Sequence, residues 1–159
     1  MSNVRRMTAH KIGTLNAPAR AAWELLTDWA GLLRWLPEGV SNVVRVELEG
    51  GLKEVPRTRV LWNSDGTCVR ETLLHQDDGA RRIYYMVQRE GIPGVRNYLA
   101  TTTIDELGAE ECQIELSSSF DVIDPAVDEQ YHRRILESIY EDCILKGLAT
   151  YLRSGQKQV

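Results

Sequence analysis

The side chain best suited to chemistry is Glu71, in the run Val69-Arg70-Glu71-Thr72-Leu73. Alternation along a strand puts Val69, Glu71, Leu73 and His75 on one side. A carboxylate on an apolar wall has its neutral form favoured by desolvation, which brings it into general acid–base range. The competing reading is an ion pair with Arg96, or with another arginine across the sheet, that holds the wall together. Arg96 also has two readings: a bidentate clamp on a ligand carboxylate or phenolate, or an exposed ion pair at the rim of a site. Tyr85, Tyr98 and Tyr140 can donate to a ligand oxygen and stack on a ring. His75 lies near a strand end, where a histidine is either solvated or an acid–base group. His132, beside Arg133 and Arg134, reads as surface, and His10 belongs to the first strand. Isolated histidines without carboxylate spacing make no metal motif. Cys68, Cys112 and Cys143 form no CxxC pair. They read as reduced thiols, with Cys143 a small hydrophobe able to line a cavity. No nucleophile elbow, phosphate-binding loop or dinucleotide glycine pattern is present, so neither a metal nor a cofactor is expected.

Composition bounds the setting. The chain has 159 residues, 43% hydrophobic and 26% charged, which describes one ordinary soluble domain. Nineteen basic against 23 acidic residues give a net charge of −4, which counts against nucleic acid as a partner. No apolar run approaches the roughly 18 residues of a membrane span. The first residues lack the apolar stretch of a secretory signal. A cytoplasmic protein without membrane insertion is expected, and a homodimer is possible.

The elements that must position these groups are legible in outline. The first seven residues read as a loose lead-in, and Thr8 to Leu15 as a strand. Asn16-Ala17-Pro18 is a helix start with an Asn cap. Ala21, Ala22, Leu25 and Leu26 follow at helical spacing, and Asp28-Trp29 ends that helix. A second short helix runs from Leu32 to Leu36. Six strands follow: Val43 to Leu48, Leu52 to Trp62, Thr67 to Gln76, Arg81 to Arg89, Arg96 to Leu107 and Cys112 to Ile123. Asp77-Asp78-Gly79 is a hairpin signal. Ile114, Leu116, Ser118 and Phe120 share one face. From about Pro125 to Leu152 a long helix carries two apolar rows. Val127, Tyr131, Ile135, Ile139 and Cys143 make one; Leu136, Tyr140, Ile144, Leu148 and Leu152 make the other. One helix over a wide curved sheet leaves space between them, which is the natural ligand site. SGQKQV at the end reads as frayed.

This order resembles the helix-grip fold of the START and birch-pollen-allergen superfamily. The segment AAWELLTDWAGLLRWLPEGV resembles its bacterial polyketide cyclase/dehydrase-like branch. RETLLHQDDGARRIYY and IPGVRNYLATTTIDEL are similar both to that branch and to plant abscisic acid receptors. The resemblance covers roughly Lys11 to Leu152 and implies an α+β fold. A seven-stranded curved antiparallel sheet would wrap a long C-terminal helix, as one ligand-binding domain over residues 8–153. It implies a cavity-facing Glu at Glu71 and a cavity Tyr at Tyr98, followed by Ala100 on the same face. It places a gate loop at Asn63 to Gly66 and a second mouth loop at Gly91 to Val95. Leu36 stands where the receptors carry a ligand-binding Lys, and Leu116 where many relatives carry a Trp.

The expected site therefore has Glu71, Tyr98 and Tyr85 as catalytic groups. Val60, Trp62, Val69, Leu73, His75, Arg96, Ala100 and Leu116 would form ligand-binding walls, with Thr58, Thr102 and Ile104 on the same faces. Leu136, Tyr140, Cys143 and Ile144 would form the helical floor. Tyr85 is preferred to Tyr84 because Ile83, Tyr85 and Val87 make the more apolar face. The expected function is binding of a small hydrophobic or aromatic molecule with a cofactor-independent cyclisation, dehydration or related acid–base step. The alternatives are a non-catalytic carrier or sensor of a lipid, polyketide or isoprenoid, and an interaction domain whose cavity is filled by side chains.

Overall fold

Alternating residues in the middle of the chain build one sheet in the computed structural model, which describes residues 4–89, 91–123 and 128–155. Its strands are β1 (Arg5–Leu15), β2 (Val43–Glu49), β3 (Arg57–Asn63), β4 (Cys68–Asp77), β5 (Arg82–Gln88), β6 (Val95–Gly108) and β7 (Glu111–Val122). They form a seven-stranded sheet in the order β1-β7-β6-β5-β4-β3-β2, with every neighbouring pair antiparallel. From β2 to β7 each strand pairs with the next in sequence, the cheapest arrangement for short turns. Between β1 and β2 lie helix α1 (Ala19–Thr27) and a 3₁₀ turn at Leu32–Arg34. The C-terminal helix runs on from α2 (Glu129–Ile139) through a π-helical segment (Tyr140–Leu145) into α3 (Lys146–Ser154). This is the helix-grip architecture.

Local chemistry corrects the expected boundaries. β1 begins at Arg5 rather than Thr8, because Arg5, Arg6 and Met7 pair with Val122, Asp121 and Phe120. Arg6 also binds Asp121 and Ser119 through its guanidinium. The third strand begins at Arg57, not Leu52, since Gly51, Glu54 and Pro56 belong to a loop closed by Gly51 N–H donating to Glu54. Pro18, rather than Asn16, precedes the first residue of α1 and makes no side-chain cap. The expected helix start at Pro125 and the residue Val127 lie outside the described residues. The described helix is capped by Asp128, whose carboxylate accepts from Gln130 N–H at 2.9 Å. The final residues 156–159 also lie outside the description.

The helix buries a different stripe from one of the two expected rows. Tyr131 is exposed, while His132, Leu136, Tyr140, Cys143 and Leu148 are buried. His132 stands four residues before Leu136, so helical spacing brings both to the same face. Its ring Nε2 lies 3.1 Å from the Pro93 carbonyl, tying the helix to the loop before β6. The surface assignment of His132 is therefore overturned.

Candidate functional site

A cavity of about 430 Å³ lies between the sheet and the C-terminal helix. Leu136, Ile139, Tyr140, Cys143 and Ile144 line it from the helix. These positions recur at three- and four-residue intervals, so they share a face across the junction into the π segment. Leu32 and Leu36 line it from the connection between α1 and β2. Asn63 at the end of β3, Asp65 in the turn after it, and Gly91 and Ile92 before β6 contribute, as do Val40, Ser41 and Asn42. Because β2 to β6 are antiparallel neighbours, these three loops gather at one end of the sheet. Ser64 N–H donates to the Asn42 carbonyl at 2.9 Å, joining two of them. Both expected mouth loops border the cavity; the stretch 40–42 is an addition that sequence reasoning missed.

The sheet wall carries the polar groups. Glu71 faces the cavity, and its carboxylate Oε2 meets Arg59 Nη2 at 2.5 Å and Nε at 2.6 Å. The two side chains are only 10% and 15% exposed, so the pair is a nearly buried one. Of the two readings of Glu71, the ion pair across the sheet is present, with Arg59 rather than Arg96 as partner. Arg59 is further fixed by Trp29: its guanidinium carbon lies 3.7 Å from the Trp29 ring centroid, and Nη1 donates to the Trp29 carbonyl at 3.4 Å. Trp29 Nε1 in turn donates to the Glu71 carbonyl at 3.4 Å. Asp28 does end α1, as expected, but the residue after it delivers an aromatic plate to the site.

Aromatic rings continue the wall. Trp29 meets Tyr85 edge-on with centroids 5.5 Å apart, and Tyr85 lies 6.2 Å from Tyr98. The Tyr98 hydroxyl is hydrogen-bonded to that of Tyr140, and Tyr140 donates to Ser118 Oγ at 2.5 Å. A phenol has one proton, so in this arrangement Tyr98 is the donor to Tyr140. Burial pushes the Tyr85, Tyr98 and Tyr140 phenols up from their ordinary range, with the Glu71 charge adding to the rise at Tyr85 and Tyr140. At neutral pH they are hydrogen-bonding groups, not bases. Burial also raises the Cys143 thiol, so it is not a thiolate nucleophile.

The expected site residues divide into three groups. Glu71, Tyr98, Tyr85, Val69, Leu136, Tyr140, Cys143 and Ile144 come together around the cavity. Leu73, Ala100 and Leu116 are buried in the core without lining it, as are Thr102 and Ile104 on their faces. Val60, Trp62, His75 and Arg96 lie elsewhere, for two physical reasons. On β3 the parity is opposite to that expected: Arg59 and Leu61 face the cavity, sending Thr58, Val60 and Trp62 to the other face. There Trp62 sits under Arg45, 4.9 Å from its ring centroid, and donates to Glu47.

On β4 and β6 bulges invert the alternation. An extra residue between Leu73 and His75 turns His75 outward, where it is exposed against Tyr84 with ring centroids 5.7 Å apart. A second shift between Arg96 and Leu99, with Asn97 at φ 52°, keeps Val95 and Tyr98 inward and leaves Arg96 exposed opposite Asp121. Arg59 is absent from the expected site, although the sequence carries a signal for it. The turn that joins Asn63 to Thr67 sets Trp62 opposite Cys68, and hence Arg59 opposite Glu71.

No group of three or more His, Cys, Asp or Glu side chains able to hold a metal occurs among the described residues. No described helix is long and apolar enough to cross a membrane. The site is therefore an apolar chamber with a compensated carboxylate, protonated phenols and a loop-lined rim.

Known structures share this architecture. An uncharacterised protein of Bacillus thuringiensis superposes with a TM-score of 0.77 at 23% identity, covering 93% of this chain and all 100% of that one. Norcoclaurine synthase from Thalictrum flavum gives a TM-score of 0.73 at 17% identity, over 95% of this chain and 88% of the enzyme. The di-domain ARO/CYC protein BexL of the BE-7585A biosynthetic pathway gives 0.72 at 18% identity, over 92% of this chain and 46% of that one. At these identities the likeness establishes the fold. No curated protein matches the sequence. The sequence pattern of one family spans residues 8–153, nearly the whole chain, and by that match the protein belongs to the polyketide cyclase / dehydrase and lipid transport family.

Proposed function

We propose that this protein binds a small hydrophobic or aromatic molecule in the cavity and promotes a cofactor-independent acid–base step, such as a cyclisation or dehydration. The observation that carries the proposal is the convergence of Glu71, Tyr85, Tyr98 and Tyr140 on one apolar chamber. Glu71 is the proton-transfer group. Both Arg59 contacts fall on Oε2, which leaves Oε1 to take a ligand's proton. Arg59 and Trp29 hold the carboxylate in place. Tyr98, whose proton points to Tyr140, and Tyr85, hydrogen-bonded in turn to Tyr98, present their oxygens to a ligand donor. The chamber supplies orientation, which by itself contributes several kcal/mol when it restricts a flexible substrate to reactive conformers (about 7 at the low end for ideal alignment). The cyclase and norcoclaurine synthase names among the structural neighbours are in keeping with chemistry of this kind on this fold.

A second reading, a carrier or sensor without turnover, draws on the same ion pair. A carboxylate already compensated by Arg59 tolerates an apolar cargo that makes no use of it. The open chamber speaks against an interaction domain with a filled interior.

Native mass spectrometry of freshly purified protein, searched for a co-purifying small molecule, identifies the ligand class. With that ligand, Glu71→Gln separates the readings. Turnover lower by about 10²-fold with affinity kept marks proton transfer. Weakened binding with no effect on a chemical step marks ligand positioning. A lower melting temperature with and without ligand, as the sole effect, marks a purely structural pair and removes Glu71 from the site.

A further inference from the structure

The charges around the cavity sort its ligands, an inference that rests on the binding reading above. Among the described residues lining the cavity, Arg59, Glu71 and Asp65 carry charge. Asp65 accepts from the Thr67 hydroxyl at 2.6 Å and the Thr67 amide at 2.9 Å, which hold its carboxyl below the usual carboxylate range. It is an anion at neutral pH. Among the described lining residues Arg59 is the one cation, and three of its five N–H donors are already engaged. Nη2 and Nε meet Glu71, Nη1 reaches the Trp29 carbonyl, and its flat face is covered by the Trp29 ring.

A carboxylate entering this chamber meets two anions and a cation that is engaged. To take the Nε–Nη2 edge of Arg59 it must displace Glu71, leaving a nearly buried carboxylate unpaired, which is the costly way to break such a pair. A hydroxyl or an ammonium group needs no exchange. Either donates to Glu71 while the pair with Arg59 stays intact. We infer that the cavity selects neutral or cationic ligands bearing a hydroxyl or ammonium group and rejects carboxylates, because Glu71 already neutralises the one cation among the described lining residues.

The test uses three probes with one ring system and different head charges: naphthalenemethanol, naphthylmethylammonium and naphthoate. Each is titrated calorimetrically into the full chain at neutral pH. The alcohol and the ammonium compound should bind at least about tenfold more tightly than naphthoate. Glu71→Gln frees Arg59, and naphthoate should then gain at least about tenfold while the ammonium compound weakens. Asp65→Asn leaves the ion pair untouched and provides a variant with no buried charge removed; naphthoate should gain about two- to threefold there, a single charge near the rim. Leu136→Trp fills the chamber and should abolish binding of all three. Naphthoate binding wild type as tightly as the alcohol, with Leu136→Trp still blocking, overturns the charge selection while the chamber remains a binding site. Absence of binding by every probe, or binding indifferent to Leu136→Trp, overturns the binding reading and this inference with it.

Discussion

The two ends of the sheet meet the same helix differently. At the β1–β7 end the helix lies directly on the strands. Gly13 of β1 is so close to it that a Cβ there would come within 2.9 Å of the Leu145 side chain. Cys112, Ile114 and Phe120 of β7 are fully buried. Pairing runs from Arg5 opposite Val122 to Leu15 opposite Cys112 without a shift. At the β3–β5 end the helix stands off, Leu32 and Leu36 roof the gap, and the wall carries an ion pair and tyrosines. Register shifts fall in β2, β4 and β6, on the strands of this half or at its border. One end is built for density and the other for a chamber. A single helix cannot satisfy the whole concave face, so the space it leaves has been furnished with polar groups that a solid core would not tolerate.

The largest expected effect measures that contrast directly. Phe120→Ala empties a site with no room to collapse and should destabilise by about 3–5 kcal/mol. Leu61→Ala enlarges a chamber that already exists and should cost about 1–2 kcal/mol, since part of its side chain has no packed partner to lose. Urea unfolding of both variants decides the matter. Equal losses would mean that the chamber wall is packed as tightly as the β7 face.

Next in size is the ion pair. Arg59→Met removes the partner of a carboxylate that is 15% exposed and leaves the Trp29 face uncovered. A fully buried pair broken on one side costs about 3–5 kcal/mol. Contact with the cavity lowers this to about 2–3 kcal/mol. The double variant Arg59→Met, Glu71→Met should recover most of the loss, because no unpaired charge remains. A double variant as unstable as the single one would show that Arg59 matters through Trp29 rather than through Glu71.

This division also explains what the sequence made legible. On β7, buried and half-buried positions alternate from Cys112 to Val122 without a break, so Ile114, Leu116, Ser118 and Phe120 were assigned one face correctly. The fold followed from such strands and from the long apolar helix. In the chamber half the same rule failed wherever its assumptions failed. Residues His75 and Arg96 lie beyond bulges, which change parity without any mark in composition. Val60 and Trp62 are the more apolar set on β3, yet Arg59 and Leu61 face inward. Ranking faces by hydrophobicity presumes that the inner one is dry, and a wall that binds a carboxylate is not. The inward face of Glu71 is legible because its neighbours Val69 and Leu73 share that face before the bulge at Leu74 intervenes. In sequence Trp29 marks only the end of a helix, since what a residue touches across 42 positions of chain leaves no local trace.

The chamber's phenols give a pH test. Tyr85 is held well above its ordinary value by burial and by the Glu71 charge. Below about pH 10 both folded and unfolded chains keep this proton, and stability does not depend on it. Above about pH 10 the unfolded chain releases the proton while the folded one retains it, so stability falls as pH rises toward the folded value. Each such tyrosine contributes about 1.4 kcal/mol per pH unit to that slope. Tyr85→Phe should therefore flatten the alkaline decline by about that amount, read from urea midpoints across a pH series. An unchanged slope would place the Tyr85 hydroxyl in water rather than in the wall.

The smallest effect concerns the roof. Gly147 lies in α3, where alanine would ordinarily stabilise a helix by up to about 1 kcal/mol. Here a Cβ would come within 2.7 Å of the Trp35 carbonyl oxygen and 2.9 Å of Pro37 Cδ. Both are parts of a chain segment that cannot swing aside as a flexible side chain does. Overpacking of this kind costs about 1–3 kcal/mol, so Gly147→Ala should be destabilising by about 1 kcal/mol net. Its second consequence is specific to the chamber. The segment pushed away is continuous with Leu36 and Val40, which border the cavity, so hydrogen exchange should quicken over residues 32–42 and stay unchanged in β7. If Gly147→Ala stabilises the protein and leaves exchange alone, the roof is not held by this close approach. The chamber half would then owe its cover to the side chains of Leu32 and Leu36 alone.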